Sequence, residues 1–186
     1  MPKLGMEPLR RDALETATIA EIGAAGTLDV TVSAIARRAG VSSALAHHYF
    51  GGKDQIFASA MRRILRDFGA EVRAALRAAD TPQARAEALI EASFAASCFA
   101  PGTIRAWMTL YAQAPVNPAM QRLLRLYQRR LRSNLTHALR PLTPQPEAAA
   151  QMLGALIDGL YLRAALGEDP GAKDVALTAL HRWTTP

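Results

Sequence analysis

Residues 31–56 restrict the fold of this chain more than any other segment, because they describe two short helices joined by a tight turn. Thr31 can cap the first helix, and Gly40 can end it, since glycine readily adopts a positive φ. The apolar residues between them fall on one stripe that is expected to face a core: Val32, Ile35, Ala36 and Ala39. This arrangement predicts a helix-turn-helix.

The second helix of the motif, predicted over residues 43–49, has a face of small side chains. Ser42 can accept hydrogen bonds from its free N-terminal amides. Ser43, Ala44 and His47 share one face, which could approach the floor of a DNA major groove without steric obstruction. The inward-facing residues are expected to be Val41, Leu45, Ala46 and Phe50.

Net charge alone does not favour DNA binding. The chain carries +6, but residues 1–54 contain six basic and six acidic side chains, so the excess lies in residues 55–186. Much of that excess is an arginine cluster, interpreted as a solvated helix face rather than a ligand or partner site: Arg122, Arg125, Arg129, Arg130 and Arg132. Local placement does support DNA binding, because Arg10 and Arg11 lie beside the first helix and Lys53 lies just after the second helix of the motif.

Helical periodicity dominates the chain and strand alternation is absent, which predicts an all-α fold. The first helix is predicted over residues 7–25, ended by Gly26, and forms a three-helix head with the motif. A long fourth helix should begin near Lys53 and run to residue 79. Thr81 and Pro82 should open a fifth helix, which Pro101 and Gly102 break. Further helices are predicted over residues 103–114, 118–139, 145–166 and 172–183.

The helix over residues 145–166 is apolar nearly all round, so the core of one molecule would not cover it. Ala148, Ala155 and Gly159 form a ridge of small residues that permits close helix approach. We therefore expect a homodimer, with burial inside a monomer as the alternative. Two heads one DNA turn apart would also read more sequence than one short helix can.

Other function classes find little support. The chain shows no nucleophile with its base, no metal ligands at helix spacing and no phosphate loop, so neither an enzyme nor a cofactor is expected. His47 and His48 diverge by about 100° on a helix, which argues against a shared metal site. Cys98 has no partner, which suits a reducing cytoplasm and a small buried residue. No secretory signal or membrane span is expected. A helical partner-binding module without DNA function is the alternative of another class.

Six segments resemble TetR-type transcriptional repressors and, among them, the choline-responsive repressors of the betaine pathway. They are residues 1–8 (MPKLGMEP), 35–42 (IARRAGVS), 48–54 (HYFGGKD), 105–107 (RAW), 129–135 (RRLRSNL) and 155–166 (ALIDGLYLRAAL). The resemblance implies about nine helices and a homodimer formed through the last two. It also implies release from a pseudo-palindromic double-stranded DNA operator when a small-molecule effector, choline in this branch, binds. A TetR-type repressor that responds to another small molecule is the alternative.

The resemblance also implies a domain division and a set of DNA contacts. Residues 1–52 would form the helix-turn-helix DNA-binding domain, and residues 53–186 the helical ligand-binding and dimerisation domain. Thr31 and Ser42 match cap positions that meet phosphate. The base-facing positions are Ser43, Ala44 and His47, and the backbone-contacting ones are His48, Tyr49 and Lys53.

A quaternary ammonium cannot donate an ordinary hydrogen bond, so its receptor needs aromatic faces and a carboxylate. The candidates are Phe94, Trp107, Tyr111, Asp158 and Tyr161. Plain core is the alternative for the aromatic residues, and Asp158 could instead pair with an arginine or face solvent. The branch has a tryptophan where this chain has Tyr111, and residues 95–103 differ from the corresponding segment. Arg105 and the arginine cluster would suit an anionic ligand if they pointed inward.

Overall fold

The computed structural model describes residues 6–25, 30–168 and 171–184. Within these ranges the regular structure is entirely helical, which confirms the all-α prediction. The helices are α1 (Met6–Ala25), α2 (Val32–Arg38), α3 (Ser43–Phe50), α4 (Lys53–Ala78), α5 (Pro82–Ser93), α6 (Pro101–Gln113), α7 (Pro118–Leu139), α8 (Pro146–Ala165) and α9 (Ala172–Thr184). The predicted stop at Gly26 lies outside the described residues.

Most helix starts follow the local signals in the sequence. The hydroxyls of Thr31, Ser42 and Thr81 each accept a hydrogen bond from the backbone amide three residues later, at 3.1–3.2 Å. Helices α5 to α8 each begin with a proline, whose fixed φ suits the first helical position. Gly40 and Gly51 follow α2 and α3 with φ of 68° and 83°, in the region that favours glycine.

Two predicted boundaries in the middle of the chain are wrong. Helix α5 ends at Ser93 rather than near Pro101, and residues 94–100 form turns in which Cys98 and Phe99 donate backbone hydrogen bonds to Ala95. Pro101 and Gly102 begin α6 instead of breaking a helix. Residues 94–100 contain no helix breaker, so tertiary contacts of this segment decide where α5 ends.

The described chain divides into two compact units. The first contains the described residues of Met1–Ile64 and Pro101–Leu123, and the second contains those of Leu65–Ala100 and Leu124–Pro186. Residues 53–64 of α4 therefore belong to the first unit and residues 65–78 to the second. The domain division between residues 52 and 53 stays a prediction.

In the first unit, α1 packs on α6 and α2, and α2 packs on α3. Its largest fully buried side chains are Leu14, Ile22, Ile35, Ile56, Met61, Leu110 and Met120. Helices α1 and α6 approach closely at Gly23 and Gly102, and the Arg105 guanidinium donates a hydrogen bond to the Gly23 carbonyl. The absence of side chains at both glycines is what permits this approach.

In the second unit, α9 packs on α8 and α5. Its largest fully buried side chains are Leu89, Ile90, Leu135, Leu139 and Leu153. His181 of α9 and Glu87 of α5 form an ion pair at 2.8 Å. Hydrogen bonds from Gln83 and then His181 hold the pKa of Glu87 below its ordinary value. None of the described helices is long and apolar enough to cross a membrane.

Candidate DNA interface and effector-binding residues

The face predicted to meet DNA bases lies on α3. Ala44 and His47 are exposed. Ser43 is half-buried, and its hydroxyl donates to the Ser33 hydroxyl of α2 at 3.2 Å. Inward, Ala46 is fully buried, while Leu45 is only half-buried. The exposed face of α3 therefore begins with small side chains, which leave room for the edges of base pairs.

His47 has a defined hydrogen-bond state. Its Nδ1 lies 2.9 Å from the Gly51 carbonyl oxygen, so Nδ1 donates to that carbonyl. In the neutral ring Nε2 is then an acceptor. His47 can thus accept a hydrogen bond from an amino group on a base edge.

The end of α3 is held by a side chain of α1. The Arg11 guanidinium lies 5.3 Å from the ring centroid of Tyr49 and 5.1 Å from that of Phe50, and Arg11 also donates to Glu7 at 2.9 Å. These cation–π contacts attach α1 to α3. The sequence placed Arg11 beside the first helix but showed no sign that it stacks on these rings.

The phosphate-contacting candidates lie at helix ends and on α3, and they differ in exposure. Thr31, Ser42 and His48 are exposed, and Tyr49 and Lys53 are half-buried. Lys53 is the first residue of α4, where the helix dipole disfavours a positive charge. A phosphate at that position would reverse the unfavourable interaction.

Not every basic residue of the motif is available to DNA. Arg38 donates to Glu21 of α1, which neutralises it within the first unit. Arg37 is exposed on α2. The motif would therefore contact phosphates mainly through hydroxyls, amides and a few cations, in line with the zero net charge of residues 1–54.

Two of the predicted effector residues lie together in the first unit. The rings of Trp107 and Tyr111, four residues apart on α6, have centroids 6.2 Å apart and an interplanar angle of 35°. Trp107 is 5% exposed, while Tyr111 is half-buried. The pair places one aromatic surface in the core and one at its edge.

Two others meet in the second unit. The centroids of Phe94 and Tyr161 are 5.9 Å apart, and Phe99 packs against both at 5.2 and 5.0 Å. The Tyr161 hydroxyl donates to the carbonyls of Ser93 and Cys98. Burial raises the pKa of Tyr161, so its hydroxyl stays a donor. Phe99 was not among the predicted effector residues, because nothing in the nearby sequence marks it as a neighbour of Tyr161.

Asp158 is half-buried in the second unit and accepts a hydrogen bond from the Tyr127 hydroxyl of α7 at 3.2 Å. It lines a crevice of about 320 Å³ between α7 and α8, with Arg132 and Gln151 on its rim. The structure thus pairs Asp158 with a phenol, a partner that the sequence did not indicate. Cys98 is buried, and burial raises its pKa, as expected for a structural thiol.

The arginine cluster of α7 is exposed at all five positions, in agreement with a solvated face: Arg122, Arg125, Arg129, Arg130 and Arg132. Two of its members nevertheless border cavities of the second unit, Arg132 at the crevice beside Asp158 and Arg130 at a groove between α4 and α7.

A capped seven-residue helix, a glycine turn and an exposed second helix with small residues define a helix-turn-helix DNA-binding regulator. Residues 15–60 match the family described as bacterial regulatory proteins of the tetR family. Residues 82–185 match the BetI-type transcriptional repressor, C-terminal family. The chain belongs to the TetR family of transcriptional repressors and has a C-terminal domain of the BetI type, so it is a regulator and not an enzyme.

Curated relatives support the same assignment. The chain is 53% identical over 171 residues to the HTH-type transcriptional regulator BetI of Brucella suis, covering 91% of this chain and 86% of the relative. It is 50% identical over 172 residues to BetI of Rhizobium meliloti, with coverage of 91% and 85%.

Solved structures share the fold. A transcriptional regulator of Pseudomonas aeruginosa aligns with a TM-score of 0.80 at 28% identity, over 97% of this chain and 90% of that one. A regulator of Saccharomonospora viridis in complex with choline aligns with a TM-score of 0.80 at 20% identity, over 95% of each chain.

Proposed function

We propose that this chain represses genes for the conversion of choline to glycine betaine and leaves its operator when choline binds. The match of residues 82–185 to the BetI-type C-terminal family carries the proposal, because this part of the chain contains all five candidate effector residues. The choline complex of the Saccharomonospora viridis regulator makes choline the first effector to test.

The DNA contacts follow from the exposed surface of the helix-turn-helix. Ser43, Ala44 and His47 would face the bases of the major groove, with His47 Nε2 as the main hydrogen-bonding group. The remaining contacts would go to the phosphate backbone and set the register: Thr31, Ser42, His48, Tyr49 and Lys53.

Choline would be recognised by ring faces and a negative charge. In the second unit, Phe94 and Tyr161 supply rings and Asp158 supplies the carboxylate. In the first unit, Trp107 and Tyr111 supply a second pair of rings. Packing alone could also account for the burial of either set of rings, so each set needs its own variant.

A second copy of the chain would cover the outer face of α8. Met152, Leu162 and Leu166 are exposed there by 59%, 51% and 70%, at helical spacing along one stripe. Ala155 and Gly159 lie exposed between them and would allow the partner helix to approach closely. An isologous interface built on this stripe, together with α9, would place two heads on a pseudo-palindromic operator.

Replacing Leu162 with Arg is expected to convert the dimer to a monomer in size-exclusion chromatography with light scattering. Val116→Arg is the matched control, because Val116 is 79% exposed but belongs to the first unit and not to α8. A dimer that survives Leu162→Arg would remove this face from the proposal.

The first experiment is a DNA-release titration on the upstream region of the gene at fixed salt. Choline is expected to release the protein at concentrations at which betaine aldehyde and glycine betaine do not. If the protein binds the DNA but none of the three compounds releases it, choline is not the effector, and the chain is a TetR-type repressor that responds to another small molecule. Failure to bind any duplex would count against repression itself.

Two variants separate base from phosphate contacts. Lys53→Ala is expected to weaken binding to all sequences and to reduce the salt slope by about 1 per half-site. His47→Ala is expected to relax preference at one position of each half-site. If His47→Ala weakens all sequences equally, His47 contacts the backbone and not a base.

Two conservative variants test the effector residues. Asp158→Asn keeps an acceptor for the Tyr127 hydroxyl but removes the charge, so the choline response should fall while DNA binding persists. Trp107→Phe keeps most of the buried volume of a core position that Trp107→Ala would empty. If Asp158→Asn responds to choline as the wild type does, the charge of Asp158 is not part of the receptor; a reduced response of Trp107→Phe with DNA binding intact would place the indole ring at the effector.

A further inference from the structure

A groove of about 330 Å³ separates α4 and α7 within the second unit. Its walls are largely apolar: Leu65, Phe68, Val72, Leu76, Leu126 and Leu131. The Phe68 and Tyr127 rings meet across it, with centroids 6.0 Å apart. On α4 the lining spans from residue 65 to residue 76, a length of roughly 16 Å along the helix. A groove of this size and composition suits a small elongated apolar molecule.

The polar groups of the groove select the charge of that molecule. Arg73, Arg130 and Asn134 line it, and no acidic side chain is among its described lining residues. In the described parts of the chain, neither guanidinium makes an ion pair. Helix α7 contains five arginines and no acidic residue, so the surrounding field is positive on that side.

Gly69 lets one of these cations enter the groove. A Cβ atom on Gly69 would lie 3.2 Å from Nη1 of Arg73, so the guanidinium folds back over the bare backbone of its own helix. Gly69 itself lines the groove. A side chain at this position would occupy the space that Arg73 and a ligand share.

We propose that the groove between α4 and α7 binds an unbranched aliphatic carboxylate of medium length. Its chain lies on the leucines, and its carboxylate pairs with Arg73 and Arg130, because guanidinium groups match carboxylates in geometry and charge. A quaternary ammonium is excluded by the same two arginines. The proposed ligand therefore has the opposite charge to choline, and the proposal does not depend on choline recognition.

The test is calorimetric titration of the full-length protein with decanoate below its micelle-forming concentration. Decyltrimethylammonium, which has the same chain and the opposite charge, is the matched ligand control. Decanoate is expected to bind saturably, one per chain, and at least tenfold more tightly than the cation. Equal binding of the two, or binding that does not saturate, would overturn the proposal.

Variants locate the site. Arg73→Gln and Arg130→Gln should each weaken decanoate binding about tenfold, as expected for loss of a charged hydrogen bond. Arg129→Gln, next to Arg130 but outside the groove, should change it less than twofold. Gly69→Leu should abolish binding without loss of helicity, because leucine favours helix more than glycine. If Arg130→Gln and Arg129→Gln weaken decanoate binding equally, the proposed site is contradicted. This outcome is independent of whether choline releases the protein from DNA.

Discussion

Gly23 of α1 and Gly102 of α6 lie against each other, but the space available for an added Cβ atom differs between them. A Cβ atom on Gly23 would lie 2.8 Å from the Cα of Gly102, which is backbone and cannot rotate away. A Cβ atom on Gly102 would lie 3.4 Å from the Ile19 carbonyl oxygen and 3.7 Å from Ile19 Cγ2, which are ordinary contacts. Gly23→Ala should therefore disturb the joint between α1 and α6, whereas Gly102→Ala should not.

The magnitude follows from two opposing effects. Carbon atoms are in contact at about 3.5–4.0 Å, so Gly23→Ala must separate the helices by roughly 1 Å. Overpacking of this kind costs about 1–3 kcal/mol, and the better helix propensity of alanine recovers up to about 1 kcal/mol. We expect a net destabilisation of about 1 kcal/mol, or a Tm lower by about 2–4 °C in a chain of this size. The hydrogen bond from Arg105 to the Gly23 carbonyl should weaken as well.

The assay is thermal and denaturant unfolding of both variants at one protein concentration, since dimerisation makes Tm depend on concentration. Gly102→Ala is the matched control and should unfold at or above the wild-type temperature. A Gly23→Ala protein as stable as the wild type, or a Gly102→Ala protein that is the less stable of the two, would refute the reasoning. Operator affinity measured in parallel reports whether the joint also positions the helix-turn-helix.

Two further predictions concern the second unit. Tyr161→Phe removes the hydroxyl that donates to the carbonyls of Ser93 and Cys98. It should therefore lower the free energy of unfolding by about 1–3 kcal/mol and speed the reaction of Cys98 with a thiol reagent. If neither quantity changes, the contact is contradicted. Glu87→Gln weakens the contact to His181, and the pair is partly exposed, so the loss at pH 7 should stay below about 1 kcal/mol. The folded-state pKa of Glu87 lies below the ordinary 4.5, so the stabilisation by Glu87 is present above pH 4.5 and is lost as the pH falls through the folded-state pKa. A difference in stability between Glu87→Gln and the wild type that persists unchanged at pH 3 would contradict this stabilising role of the carboxylate.

Local features of this protein were readable from the sequence. The caps at Thr31 and Ser42, the turn at Gly40 and the exposed face of α3 depend on residues within one helical turn of each other, so spacing alone predicted them. The exposed stripe of α8 was also predictable, because a helix that is apolar all round cannot be covered by one neighbour.

Contacts between distant residues were decided only by tertiary structure. Helix α5 ends at Ser93, whose backbone carbonyl accepts a hydrogen bond from the Tyr161 hydroxyl, 68 residues away. Phe99 packs against the same tyrosine from a turn that no local signal in the sequence marks. Gly23 and Gly102 meet for the same reason.

The groove between α4 and α7 shows the difference most clearly. In the sequence, Arg130 is one of five similar arginines on a solvated helix face. Arg130 differs from Arg129 only because the neighbouring segment of α4 leaves an apolar gap at Gly69. Periodicity reports which side of a helix is polar, but it contains no information about the shape of the helix that faces it. The class of this protein was therefore encoded locally, whereas its binding surfaces depend on how its helices pack.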